Sequence, residues 1–204
     1  MVSLNVPENF LFYLSAHESC TEKLLARAKV LTAEDLEIST DPEIVRIRKM
    51  VYSVRTEIHR MKGFVRLKPL GLHVLYGYLK PRHRTGGYIT ERFARRSPGA
   101  IVVLGHGSES WISILLGGKM ISQHGGGLAR SLEEIKSALN CSEDRDREDV
   151  AAVWETYYAS QYCPGRRNIG AFHRRMPKEA LASAGLKLER NKNGVTLDDF
   201  FGRE

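Results

Sequence analysis

The sequence is poor in cysteine, and its three cysteines lie far apart. Cys20, Cys141 and Cys163 form no Cys-x-x-Cys pair. Disulfide-rich secreted domains and cysteine-held zinc or iron–sulfur sites need denser or more closely spaced cysteines. We therefore exclude those classes and expect ordinary reduced thiols.

Long apolar runs are also missing. No segment approaches the ~18 consecutive apolar residues of a membrane span, and the N-terminus lacks the charged-then-apolar pattern of a signal peptide. We therefore expect a soluble, cytoplasmic protein with no membrane partner. With 204 residues, 42% of them hydrophobic, the chain is long enough to bury one sizeable core.

Catalytic and phosphate-loop motifs are absent as well. Residues 124–127 are glycine-rich, but they lack the lysine and serine spacing of a Walker loop and do not match GxGxxG, so they predict a flexible turn. The chain has no HExxH, no acid-rich metal motif, and no Ser/Lys or Cys/His signature. The sequence therefore predicts neither a metal site nor a cofactor, and it names no reaction.

Acidic residues are outnumbered by basic ones. The chain has 31 Lys and Arg against 24 Asp and Glu, a formal net charge of +7. A basic balance suggests a polyanionic partner, with nucleic acid as the first candidate. The bases cluster at residues 46–68, 80–84, 92–96, 166–167 and 174–178. This clustering allows a basic patch on the folded surface.

The strongest structural signal lies in residues 40–68. Apolar side chains recur there at steps of three and four and predict a helix of about five turns with one buried face. These side chains are Ile44, Ile47, Val51, Val54, Ile58 and Met61. Thr40 and Glu43 have capping-box spacing, and Gly63 is suited to end the helix in the left-handed conformation.

A second face of this helix carries positive charge with an aromatic ring and an imidazole. Its residues are Arg48, Tyr52, Arg55, His59 and Lys62. A solvated surface is the simplest interpretation of this face taken alone. Glu57 and His59 are two residues apart and do not face each other on a helix, so no acid–base pair follows from them. An ion pair with Arg60 is the simpler role for Glu57.

The rest of the chain predicts an α+β fold, with an antiparallel or mixed sheet packed against the long helix and several shorter helices. Apolar alternation predicts strands at 64–67, 72–79, 100–104, 111–116 and 119–122, the first two forming a hairpin. Further helices are predicted at 21–30, 88–96, 131–139, 148–162, 169–175 and 177–184, and residues 31–39 read as an acidic connector. Ser131 and Glu134 have capping-box spacing.

Three basic clusters share one composition, with arginines beside an aromatic residue or a histidine. They are centred on residues 55–66, 82–96 and 166–175. Guanidinium and ammonium groups suit phosphate, and adjacent aromatic rings suit base stacking. The candidate nucleic-acid contacts are Arg55, His59, Lys62, Phe64, Arg66, Arg95, Arg96, Arg167 and Asn168, although core packing is the simpler use of Phe64.

Six ordered sequence blocks resemble a known family. They read TEIHRMKGFVRLK, KPRH, ERFARRSPGAIVV, VWETYY, RRN and HRRMPK, and lie between residues 56 and 178. The resemblance as a whole extends from about residue 40 to about residue 178. The chain is similar to an uncharacterised bacterial and archaeal family assigned to DNA metabolism or DNA repair. Its members are encoded beside a radical-SAM protein or fused to a uracil-DNA glycosylase-like domain. The resemblance implies DNA as a partner, and a radical-SAM or glycosylase-like protein as a second one.

The resemblance divides the chain and leaves three functions open. Residues 1–39 are then an N-terminal extension packing on the core, 40–185 the family domain, and 186–204 a C-terminal tail. The first function is binding of DNA or a modified nucleotide. The second is an enzyme acting on a nucleic-acid base, with Glu57, His59 and His83 as acid–base candidates. The third is a non-catalytic interaction subunit. Arg82 stands where the family has an acid, which weakens a carboxylate–histidine site at His83.

Overall fold

The computed structural model describes residues 9–71, 73–139, 160, 170 and 178–184. Within them lie seven helices and five strands. The helices are α1 (Phe10–Ala16), α2 (Glu22–Lys29), α3 (Ala33–Ile38), α4 (Pro42–Phe64), α5 (Gly86–Arg96), α6 (Leu128–Leu139) and α7 (Lys178–Ser183). The strands are β1 (Lys68–Pro69), β2 (Val74–Tyr78), β3 (Ile101–Gly105), β4 (Ser110–Leu116) and β5 (Lys119–Gly125). In this part of the chain, no helix has both the length and the apolar character to cross a membrane.

The apolar face predicted for the long helix is buried as expected. All six of its residues are 5% exposed or less. The N-terminal half of α4, from Ile44 to Val51, packs in a cluster with α1, α2 and α3. The C-terminal half packs in a second cluster with α5 and the sheet. Thus α4 connects the two parts of the core.

The ends of α4 differ from the sequence prediction. Asp41, not Thr40, is the N-cap, and its carboxylate accepts a hydrogen bond from the Glu43 amide at 2.7 Å. Pro42 takes the first helical position, where its missing N–H costs nothing. Gly63 lies inside the helix and does not end it. The strand predicted at 64–67 is therefore wrong, because α4 continues to Phe64.

The five strands form one mixed sheet in the order β1-β2-β3-β4-β5. The short β1 pairs antiparallel with β2, so a hairpin forms, but its first strand is Lys68–Pro69 and not residues 64–67; Gly71, at φ 69°, lies in its turn. Helix α5 connects β2 to β3, and these two strands are parallel. Strands β3, β4 and β5 are antiparallel. The α+β prediction with an antiparallel or mixed sheet is confirmed, and α5 buries Ile89 and Phe93 as expected.

Three other local predictions are wrong. The acidic connector contains α3, which begins with a capping box between Thr32 and Asp35. Residues 124–125 belong to β5, because His124 pairs with Trp111 in the sheet. Ser131 is not a cap: α6 begins at Leu128, and the buried Ser131 hydroxyl lies 2.7 Å from that of Ser110.

Several predicted elements lie outside the described residues. These are most of the helices predicted at 148–162 and 169–175, the start of the chain, and the tail at 186–204.

Two glycine substitutions should change stability in opposite directions. Gly86 begins α5 beneath Trp111, and an added Cβ would overlap the indole ring. Gly86→Ala should therefore destabilise the fold by about 1–3 kcal/mol, as overpacking does. Gly63 is exposed, and within the described part of the chain its added Cβ would meet no atom within 4 Å. Gly63→Ala should stabilise by about 0.5–1 kcal/mol.

Urea unfolding of both variants measures these effects. A Gly86→Ala midpoint equal to that of the wild type would show that α5 does not pack on β4 as described.

Candidate functional site

The face of α4 that points away from the core is rich in positive charge. Between Pro42 and Phe64 the helix carries Arg46, Arg48, Lys49, Arg55, Arg60 and Lys62, together with His59. It has only two acids. Glu43 lies in the first turn, where its carboxylate is 3.7 Å from Arg27. The second acid, Glu57, is turned toward a neighbouring loop. We call this set of basic residues the α4 cationic face.

In the described part of the chain, the cations of this face have no carboxylate beside them. Within residues 9–71 and 73–139, no acidic oxygen lies within 4.0 Å of the charged groups of these residues. Arg48 is the member held by other protein groups, because it donates to the Glu37 carbonyl at 2.7 Å. Arg55 and His59 are exposed, and Lys62 is half-buried. The face therefore presents cations that are not neutralised by neighbouring side chains.

Two other candidates near the end of α4 have structural contacts. Arg66 is exposed, but its guanidinium donates to the Gly63 carbonyl at 2.7 Å and so closes the end of the helix. Phe64 packs its partly buried ring against the core, which is the simpler of its two predicted uses.

The α5 candidates lie at a different place. Arg95 lines a cavity of about 170 Å³ with Tyr88, Glu91 and Arg92. The Arg96 guanidinium lies 5.6 Å from the centre of the Phe93 ring. Arg95 and Arg96 are both exposed. Arg167 and Asn168 lie outside the described residues.

Glu57 holds the loop that precedes α5. Its carboxylate accepts from the Arg82 amide at 2.8 Å, from the His83 amide at 3.3 Å and from the Thr85 hydroxyl at 2.6 Å. In the described part of the chain Glu57 makes no ion pair with Arg60. The carboxylate thus fixes the loop on α4, and both of its oxygens are used in doing so.

His83 is buried, at 3% exposure, beside residues that the sequence did not single out. Its Nε2 lies 2.9 Å from the Ser53 hydroxyl, and its Nδ1 accepts from the Glu18 amide at 3.5 Å. The His83 ring is thus held between Ser53 of α4 and the turn after α1.

Arg82 and His83 contact two residues of the turn after α1, Glu18 and His17. The Arg82 Nε donates to a Glu18 carboxylate oxygen at 2.7 Å, and this hydrogen bond lowers the pKa of Glu18. The His17 ring is 4.4 Å from the His83 ring, centre to centre. Burial, followed by the charge of His83, lowers the pKa of His17 below its usual 6.5. Arg82 is thus paired with an acid from another element.

A cavity of about 270 Å³ opens between α4, the loop after β2 and the end of α7. Among the described residues, its walls are Tyr52, Ser53, Thr56, Glu57, Arg60 and Met61 of α4, Arg82 and His83 of the loop, and Ser183 of α7. The fold therefore brings together Glu57 and His83, which are distant in sequence. His59 and Arg95 are not part of this wall. Among the described residues, no cluster of His, Cys, Asp or Glu is arranged to hold a metal ion.

Removing the charge of Glu57 should loosen the loop. In Glu57→Gln an amide NH₂ replaces one accepting oxygen and leaves a loop donor without a partner. We expect a loss of about 1–3 kcal/mol in the free energy of unfolding. Glu133→Gln, an exposed change on α6, is the matched control and should remain within about 0.5 kcal/mol of the wild type. Equal effects in the two variants would contradict the role of Glu57.

Protonation of His17 should destabilise the fold. Because its folded-state pKa lies below the unfolded value of about 6.5, the unfolded chain binds the proton more readily. The contribution of His17 is therefore complete above about pH 6.5 and is lost as the pH falls through the lower, folded-state pKa.

His17→Asn tests this, since the amide oxygen of Asn is able to accept from the Ser19 amide as Nδ1 now does at 3.1 Å. Urea unfolding between about pH 8 and pH 5 should show a shallower decline in the variant. The same exchange at the exposed His59 is the control. An unchanged decline in His17→Asn would refute the assignment.

Comparison with known proteins gives a family but no function. A family model described as a domain of unknown function, DUF4130, matches residues 17–182. No curated protein and no solved structure matches the chain. The matched residues include α2 to α6, α7 except for Ser183, and the whole sheet, together with the α4 cationic face and the cavity-lining residues other than Ser183. Since the match covers most of its length, the chain belongs to the DUF4130 family.

Proposed function

We propose that this protein binds nucleic acid, with DNA as the first candidate, through the α4 cationic face. The observation that carries the proposal is the set of cations without neighbouring carboxylates on the outward side of α4. From Arg46 to Lys62 these cations are spread over about 24 Å of the helix at ~1.5 Å per residue, and Arg55, His59 and Lys62, at i, i+4 and i+7, lie on one side of it. Duplex DNA presents one negative charge per ~1.7 Å of its axis, so cations spread over this length lie opposite several phosphates.

The charge composition of an ordinary solvated helix surface is found on α6 but not on α4. On α6, Arg130 and Glu134 form an i,i+4 pair at 2.8 Å, and Glu133 and Lys136 add both signs of charge. Mixed charge of this kind is what an exposed helix surface normally carries. On α4 the mid-helix acid, Glu57, is withdrawn into the loop contact instead. The contrast within one molecule supports a polyanionic partner for α4.

The enzyme alternative receives less support from the same geometry. Both oxygens of Glu57 accept hydrogen bonds from the loop, and the His83 ring lies 2.9 Å from the Ser53 hydroxyl, so both groups make contacts that hold the loop on α4. Chemistry on DNA would then belong to a radical-SAM or glycosylase-like partner protein, as the resemblance implies. An interaction subunit without nucleic-acid binding is the remaining alternative, and it predicts no affinity for DNA.

Salt-dependent DNA binding tests the proposal. Fluorescence anisotropy with labelled single-stranded and duplex oligonucleotides should give a dissociation constant that rises steeply between about 50 and about 200 mM salt. In the double variant Lys49→Gln, Arg55→Gln the logarithmic salt slope on duplex DNA should fall by about 0.9 for each lost phosphate contact. The affinity should fall with it.

The matched control removes two exposed lysines elsewhere. Lys29→Gln on α2 with Lys136→Gln on α6 changes the net charge by the same amount. It should leave the slope near that of the wild type. Equal losses in the two double variants would mean that net charge, and not α4, attracts the DNA. No binding at low salt would refute the proposal.

A further inference from the structure

Tyr52 is the most exposed aromatic side chain in the described part of the chain, at 71%. It lies in the middle of the α4 cationic face and also forms part of the wall of the 270 Å³ cavity. A ring this exposed on a helix surface is not stabilised by packing in the core. It offers a flat apolar face to a ligand that enters beside it.

Arg60 lies on the same wall, two turns further along α4. It is half-buried, and among the described residues no carboxylate is within 4.0 Å of its guanidinium. Thr56 lies between Arg60 and Tyr52 on the helix, and all three line the cavity. Tyr52, Thr56 and Arg60 follow each other at i, i+4 and i+8 and form one stripe. The stripe presents, in order, an aromatic ring, a hydroxyl and a guanidinium.

We infer that this cavity receives one unpaired nucleotide of a bound nucleic acid, with its base against Tyr52 and its phosphate at Arg60. The inference rests on the proposed function, because the strand would be held by the α4 cationic face that borders the cavity. A base supplies a flat ring that stacks on Tyr52, and the phosphate supplies a negatively charged partner for the Arg60 guanidinium. Thr56 offers a hydroxyl between the two.

The size and the lining of the cavity agree with a ligand of this class. Its 270 Å³ lies just below the ~300 Å³ at which pockets for drug-sized ligands begin, so it suits a single nucleotide and excludes a base pair. The lining also includes Met61, Ser53 and the loop that Glu57 holds on α4. An unpaired base enters the cavity at a lower cost than a paired one, since no stacked pair has to open.

Three hairpin duplexes test the inference by anisotropy at low salt. The first is fully paired, the second carries one extra unpaired adenine, and the third carries an abasic site in place of that adenine. The wild type should bind the adenine bulge roughly 10-fold more tightly than the paired duplex, as a single stacking contact allows. The abasic bulge should bind like the paired duplex, because it bends the DNA similarly but has no base to stack.

Variants of the stripe assign the gain to the cavity. Tyr52→Ala should abolish the preference for the adenine bulge, measured as the ratio of the two dissociation constants for the paired and the bulged hairpin, and Tyr52→Phe should retain it. Arg60→Gln should reduce the preference as well as the salt slope. Thermal unfolding midpoints confirm that the variants are folded, which the exposure of Tyr52 leads us to expect.

The outcomes separate the two proposals. Equal affinity for all three hairpins, with a steep salt slope, would overturn the nucleotide site and leave the cationic face standing. A Tyr52→Ala variant that weakens all three hairpins equally would also overturn it. Absence of salt-dependent binding to any hairpin would overturn both.

Discussion

Burial of the apolar face of α4 is the interaction on which the rest of the structure depends. Residues Ile44 to Val51 bind α1, α2 and α3 into one cluster, and residues Val54 to Met61 join α5 and the sheet in another. One helix thus belongs to both clusters, and its orientation is fixed along its whole length. The opposite face must therefore lie at the surface, whatever residues it carries. The exposed cations found there, such as Arg46, Lys49 and Arg55, are therefore not needed for packing and are available to a ligand.

Glu57 connects this constraint to the candidate site. It sits at the border between the buried and the outward face of α4, where its carboxylate reaches the loop before α5. Binding that loop places Arg82 and His83 as one wall of the cavity. The same contact removes the only mid-helix acid from the cationic face. A single carboxylate therefore shapes the pocket and leaves its surroundings positively charged.

What depends on local spacing was predictable, and what depends on distant contacts was not. The three-four period predicted the buried face of α4, and apolar patterning predicted β2 to β5 but not β1, because both patterns follow from backbone geometry. The predicted ends of α4 were wrong: Asp41, not Thr40, is the N-cap, and Gly63 does not end the helix. Neighbouring residues of similar type compete for the same capping position. The Glu57 contact with the loop joins residues 25 or more positions apart, and no spacing rule reveals it. Ser53 beside His83 was missed for the same reason.

The most direct test of the account is to map where nucleic acid contacts the folded protein. NMR chemical-shift changes of the ¹⁵N-labelled chain, recorded as a short DNA hairpin is added, locate the interface residue by residue. The account predicts changes concentrated on the outward positions of α4 from Arg46 to Lys62 and at the loop amides of Arg82 and His83. Changes centred on α6, or confined to Arg95 and Arg96 of α5, would contradict it.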